Sequence, residues 1–164
     1  MGQTFSLYIV QQNTPPTARY ALDVLIDPHD RLLLLKRSPS AQLGPGLWGL
    51  PAGKIEKYET AKAAAYREMQ EEIGSGHEVD LVRYVGPFRD TYYGGQYEIH
   101  LFQFRWLSGK VVLNDEHTDH AWVGREDFGD YQVMDGIDED IAILGVWPLR
   151  FLNADRVPAH LQRR

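Results

Sequence analysis

GKIEKYETAKAAAYREMQEEIGS, residues 53–75, gathers three acids onto one short segment with helical spacing. Thr60 has the side chain of an N-cap. From there the pattern predicts a helix to about Ile73, stopped by GSG. Glu68, Glu71 and Glu72 fall at i, i+3 and i+4, so their charges share a face and repel by a few tenths of a kcal/mol per pair. With Glu68 at zero on a helical wheel, Glu72 lies at about +40° and Glu71 at about −60°. Ala65, Tyr66, Met69 and Ile73 span about +60° to +160° and form the apolar stripe. Ala61 and Ala64 lie within about 40° of Glu68, which predicts space beside the acids for a group that is not protein. One reading is a solvated acidic face with alanines serving helix propensity. The other is a hard divalent cation, which binds through a few carboxylates plus substrate phosphates. Such a cation turns repulsion into attraction and links helix stability to metal binding.

The 164 residues suit one domain with a sizeable core. The mixture of 43% hydrophobic and 24% charged residues is that of a globular chain. No apolar run is long enough to span a bilayer, and the first residues lack the basic and apolar regions of a signal peptide. The expectation is a cytoplasmic protein with no membrane partner. MGQTFS fits a loose N-myristoylation pattern through Gly2 and Ser6, short enough to arise by accident. The absence of cysteine excludes disulfides and thiolate metal sites. A net charge of −6 argues against a stable nucleic-acid partner, which calls for a basic footprint. It leaves room for a phosphate-bearing small molecule if a cation bridges acid to acid.

Residues 1–17 read as an arm or edge strand broken by NTPPT. ARYALDVLID (18–27) and RLLLLKR (31–37) read as strands joined by PHD into a hairpin. LWGLPAGKIE is an extended segment leading to the helix. EVDLVRYVGPF, QYEIHLFQFRWL and HAWVG follow as strands. DGIDEDIAILGVWPL reads as a last helix ending before Pro148, apolar enough to pack on the domain or on a second subunit. NADRVPAHLQRR reads as a polar, frayed end. Strands, helix, strands, helix without βαβ alternation favour a mixed sheet with helices packed on it.

Gly53 is followed after five residues by Glu59, and after seven more by Arg67-Glu68, Met69, Gln70, Glu71-Glu72, Ile73 and Gly74. This spacing resembles the Nudix box, G-x5-E-x7-R-E-U-x-E-E-x-G-U, where U is apolar. All seven fixed identities are present. At about one in fifteen per residue type, a chance match is on the order of 10⁻⁸ per starting position. Ser75 stands where an apolar residue is usual, and Ala52 where a second glycine is common. GLWGLPAGKIE before the box and EHTDHAWVGREDF after it are also similar to the family, so the resemblance covers about residues 17–128.

The resemblance implies an α/β fold, a Nudix-like α/β/α sandwich whose mixed sheet is flanked by helices. It implies one domain over 1–164, with a C-terminal helix and tail from 129. The implied reaction is hydrolysis of a diphosphate bond in a nucleoside diphosphate linked to another moiety: a sugar, a second nucleotide, or a further phosphate. Mg²⁺ or Mn²⁺ is the implied cofactor. The metal ligands carried over are Glu68 and Glu72, Glu71 as ligand or base, and the carbonyl of Gly53. Arg67 is expected to pair with Glu59 and fix the loop–helix geometry. Glu116 is the best candidate for a remote ligand or base, with His117 and His120 in the same segment. Lys54 is a candidate phosphate contact. Tyr92 and Tyr93, 17 and 18 residues past Ser75, resemble the tyrosine marker of dinucleoside polyphosphate hydrolases and are candidates to stack on a base. Many relatives are dimers, so a homodimer is expected. A binding module without turnover is the alternative, although such modules usually lack one of the box acids. A prenyl diphosphate isomerase on this fold needs a cysteine that is missing here.

Overall fold

Two apolar strands meeting at a tight turn begin the sheet. In the computed structural model, which describes residues 14–162, these are β1 (Ala18–Ile26) and β2 (Leu32–Arg37). Asp27 builds the turn, its Oδ1 accepting from the amides of His29 and Arg31 at 2.9 Å each. The amino-terminal arm and the Gly2/Ser6 pattern lie outside the described residues, apart from the end of the arm.

The hairpin holds at its turn, where Ile26 pairs with Leu32, and then forks. Residues 48–54 fill the fork. β3 (Trp48–Gly49) pairs with β2, and β4 (Ala52–Lys54) pairs with β1, setting Gly53 opposite Ala21. Along its other edge β1 runs parallel to β6 (Tyr97–Gly109) in unbroken register from Ala18↔Tyr97 to Ile26↔Arg105. β5 (His77–Arg89) flanks β6 antiparallel, and β7 (His117–Val123) flanks β2 antiparallel. The result is one mixed seven-stranded sheet in the order β3-β2-β1-β6-β5, with β4 on β1 and β7 on β2.

Both faces of the sheet are covered, which is why RLLLLK reads as a continuous apolar run and not as alternation. On one face Ala21, Leu25, Leu33, Leu35 and Phe104 pack against α1 (Ala61–Ile73) through Ala64, Ala65, Met69 and Ile73. On the other, Val24, Leu32, Leu34 and Leu101 pack against α2 (Ile137–Leu144) through Ile137, Ile141 and Leu144, with Trp147 beyond it. Burying Met69 and Ile73 holds α1 down by about 2 kcal/mol each. An acid at Met69 would place an unpaired charge there and release the helix.

Thr60 caps α1 as expected, its hydroxyl accepting from Ala63 N at 3.1 Å, and Gly74 ends it at φ 79°. Three expectations change. Ala64 is fully buried in the α1 core cluster and Ala61 packs against it, so the small side chains let the helix lie close to the sheet and do not leave space beside the acids. The last helix stops at Leu144, because Gly145 turns left-handed at φ 64° and closes the last turn onto Ile141 and Ala142. The polar tail is not frayed: short 3-10 turns at Ala154–Arg156 and Ala159–Leu161 put Val157 and Leu161 into the α2 core cluster.

Candidate active site

The acids gather where α1 crosses the fork. Glu72, 3% exposed, turns inward from the last helical turn, and its Oε2 accepts from Ala52 N at 3.1 Å. Glu68 lies over Gly53. A methyl group on Gly53 would stand 1.8 Å from the Glu68 carboxyl carbon, so only glycine admits the carboxylate there. Glu71, one turn away, is exposed and faces Arg67.

Arg67 ties the loop to the helix. Its Nε and Nη2 donate to the two Glu59 oxygens at 2.7 and 2.8 Å, a bidentate pair. Nη2 also reaches the Lys54 carbonyl at 3.0 Å, while Nη1 donates to Glu68 at 2.7 Å and to Glu71 at 3.2 Å. The hydrogen bonds from Arg67 hold the Glu59 carboxyl down at about 2. Arg67 itself is raised, first by Glu59.

The charge balance is strongly negative. Burial first, opposed by the Ala52 amide and Arg37 and helped by the charges of Glu68 and Glu116, pushes the Glu72 carboxyl up to about 9. Burial also raises Glu68, with Arg67 opposing and Glu71 and Glu116 adding to the rise. Among the described residues, no three acidic or histidine side chains already stand as an assembled ligand set. Arg67 accounts for part of this, since it holds Glu68 and Glu71 as a counter-ion.

Two features suit the cluster to a hard divalent cation. Every side-chain donor is a carboxylate oxygen, the donor type such ions prefer. The missing side chain at Gly53 also lets the Glu68 carboxylate lie directly against the main chain.

The other expected residues lie around this cluster. Glu116 is exposed just before β7, and its charge acts on both Glu68 and Glu72. His117 and His120 belong to β7 and not to a loop; His117 is buried, which lowers its imidazole to about 4, so it is neutral at physiological pH. Lys54 follows Gly53 with an exposed side chain. Tyr93 stacks at a tilt on Tyr97, which meets Tyr20 edge to face at 5.3 Å. The Tyr92 hydroxyl donates to the Arg156 carbonyl, and its ring stands near Gly136 at the start of α2. Trp48 packs edge to face on Tyr131 in the α2 layer.

Two residues escape the sequence reading. Arg37, at the end of β2, acts on Glu72, His117 and Tyr93 together, a convergence that only the fork produces. Asp23 is a lone acid at an inward position of an otherwise apolar strand face, Ala21-Asp23-Leu25. That break in the pattern was its only signal.

Comparison with known proteins identifies the family. The NUDIX domain family matches residues 16–142. The chain is 33% identical to the nucleoside triphosphatase NudI of Klebsiella pneumoniae (strain 342) over 121 residues, covering 66% of this chain and 84% of that protein. It is 36% identical to NudI of Enterobacter sp. (strain 638) over 113 residues, covering 62% and 79%. Among solved structures, the Nudix hydrolase RenU from M. Smegmatis superposes with a TM-score of 0.62 at 22% identity, covering 84% of this chain and 89% of that one. At that identity the likeness concerns the fold.

Proposed function

The chain belongs to the Nudix family, hydrolases acting on phosphorus-containing acid anhydrides, and we propose that it is a Mg²⁺- or Mn²⁺-dependent pyrophosphohydrolase that cleaves a nucleoside triphosphate. The observation that carries this reading is the complete set of box acids Glu68, Glu71 and Glu72 on α1, with Glu68 set over the side-chain-free Gly53. The triphosphate is favoured over a sugar or dinucleotide conjugate because the curated relatives are nucleoside triphosphatases.

Glu68, Glu72 and the Gly53 carbonyl are the groups that would hold the cation, with Glu71 beside them. When bound, the cation neutralises the phosphate chain and lowers the pKa of a coordinated water. Water oxygen attacks a phosphorus, the bridging P–O bond breaks, and the leaving phosphate departs with the electron pair. Glu71 and Glu116, both exposed, are the candidate bases that would take the proton from the attacking water. Arg67 is a positioning residue: its pairs with Glu59 and Glu68 hold the loop against the helix, so the acids keep their spacing. Arg37 and Lys54 supply positive charge for phosphate oxygens, and Tyr93 with Tyr97 and Tyr20 forms an aromatic wall able to meet a base.

No helix among the described residues is long and apolar enough to cross a membrane. We add to the proposal the homodimer expected above, which sedimentation of the full chain tests.

The test is a panel of nucleoside triphosphates, nucleotide sugars and dinucleoside polyphosphates incubated with Mg²⁺ in ¹⁸O water, with products weighed by mass spectrometry. The expected result is turnover of a triphosphate with ¹⁸O in one phosphate product. Binding of nucleotides without ¹⁸O incorporation from any substrate would overturn the proposal.

A further inference from the structure

Asp23 sits in β1 between Ala21 and Leu25, all three with no exposed surface, on the sheet face that carries α1. Its amide donates to the Pro51 carbonyl at 2.9 Å, which fixes it at the crotch of the fork, one residue from the Leu22↔Ala52 pair. Glu72 reaches into the same crotch through the Ala52 amide. Both carboxylate oxygens of Asp23 are buried and have no hydrogen-bond partner among the described residues. A fold does not keep such a group without compensation. Flanked as it is by Ala21 and Leu25, this position would take a valine or leucine at no electrostatic cost. Asp23 and Glu72 thus bind adjacent main-chain groups, the Pro51 carbonyl and the Ala52 amide, from the sheet and from the helix. Burial raises the Asp23 carboxyl, and the charges of Glu72 and Glu68 push in the same direction.

We propose that Asp23 supplies a further carboxylate to the divalent-cation site of Glu68 and Glu72, reaching it from the sheet side while the glutamates reach it from the helix. The inference rests on the cation-site reading above and extends it to a residue outside the box. Asp23 thereby acts as a direct ligand. It fixes the depth at which the cation sits, and it is compensated only when the cation is present. An acid in this place weakens the metal-free protein and strengthens the loaded one.

The experiment uses the full chain and Mn²⁺ alone, with free Mn²⁺ read by its electron paramagnetic resonance signal and melting followed with and without the ion. Asp23→Asn keeps the shape and removes the charge. It is expected to lose at least tenfold in Mn²⁺ affinity while melting, without metal, no lower than wild type. Asp23→Val matches the flanking residues and serves if the asparagine variant does not fold; its expected result is the same. An Mn²⁺ affinity within threefold of wild type in either folded variant overturns the inference, as does a metal-free melting temperature that falls with affinity retained. Glu68→Gln separates the two levels. If it loses Mn²⁺ and Asp23→Asn does not, the inference about Asp23 fails and the cation site stands. If neither loses Mn²⁺, the cation site itself fails.

Discussion

Gly53→Ala isolates the geometry of the acid cluster from its charge. The new methyl would lie 1.8 Å from the Glu68 carboxyl carbon and 2.2 Å from each of its oxygens. Ordinary contact begins at 3.4 Å, so the carboxyl must retreat by about 1.6 Å, because uncompensated overlap at that range is prohibitive. The backbone does not resist the change, since Gly53 is not among the residues with positive φ. Its pairing with Ala21 uses main-chain groups that alanine also has. What moves is the far end of a flexible side chain, together with the 2.7 Å bond from Arg67 to Glu68. A displacement near 1 Å in a catalytic constellation costs on the order of 10²-fold, equivalent to about 2.7 kcal/mol of barrier. Gly53→Ala should therefore lower kcat/KM on a nucleoside triphosphate by about a hundredfold, with an unchanged far-UV spectrum and nearly the same melting temperature. Shortening the displaced acid provides the control. In Gly53→Ala with Glu68→Asp the carboxyl withdraws by one carbon–carbon bond, about 1.5 Å, and part of the lost rate should return. Activity of the single variant within threefold of wild type would refute the placement of Glu68 as a catalytic ligand over Gly53.

Glu72→Gln preserves the acceptor for Ala52 N and removes the charge; kcat should fall at least a thousandfold, on the scale of losing a main electrostatic contact to the transition state, with circular dichroism unchanged. Glu59→Gln addresses the Arg67 tie. A carboxyl held down at about 2 contributes stability that is present above its ordinary value of 4.5 and is lost as pH falls through 2. Discounted for solvent screening, that is about 1 kcal/mol at pH 7, so urea titrations of the variant and wild type should differ at pH 7 and converge near pH 2. Leu161→Ala should cost about 2 kcal/mol of unfolding free energy by removing a buried side chain from the α2 core, while KM stays at the wild-type value; a variant as stable as wild type would mean that the tail is not part of the core.

The box, the cap of α1 and most strand segments were legible in the sequence because each depends on local chemistry. Thr60 and Gly74 mark the helix by their own side chains or lack of one. The unbroken apolar run of β2 already says that both of its faces are buried. What the sequence did not reveal depends on the order of strands in space. Parallel pairing of β1 with β6 joins residues about 80 apart, and the fork that separates β1 from β2 has no local marker. Ala61 and Ala64 were placed on the right side of the wheel, but a wheel carries no information on how closely the sheet approaches, and the sheet claims that space. Tyr92 and Tyr93 are adjacent in sequence and find different partners. One reaches the tail at Arg156 and the other the aromatic wall, from the bend between β5 and β6 where strand alternation is no guide.

The fork also explains why the acids can be so close without unfolding the helix. A helix carrying Glu68, Glu71 and Glu72 on one face loses a few tenths of a kcal/mol per pair in isolation. Here Met69 and Ile73, on the apolar stripe beside the acids, return about 2 kcal/mol each by packing on the sheet. The repulsion is therefore small against the packing, and the raised Glu72 carboxyl relieves part of it by keeping its proton near neutral pH. Arg67 takes up part of it through Glu68 and Glu71, yet its strongest partner is Glu59, outside the cluster, where two bonds of 2.7 and 2.8 Å hold its guanidinium. Arg67 thus stays anchored when its bonds to Glu68 and Glu71 are exchanged for another cation. That division of partners distinguishes a counter-ion that can yield from one that seals the site. It requires Arg67→Lys, which keeps the charge but not the bidentate anchor, to lose activity even where its charge is retained.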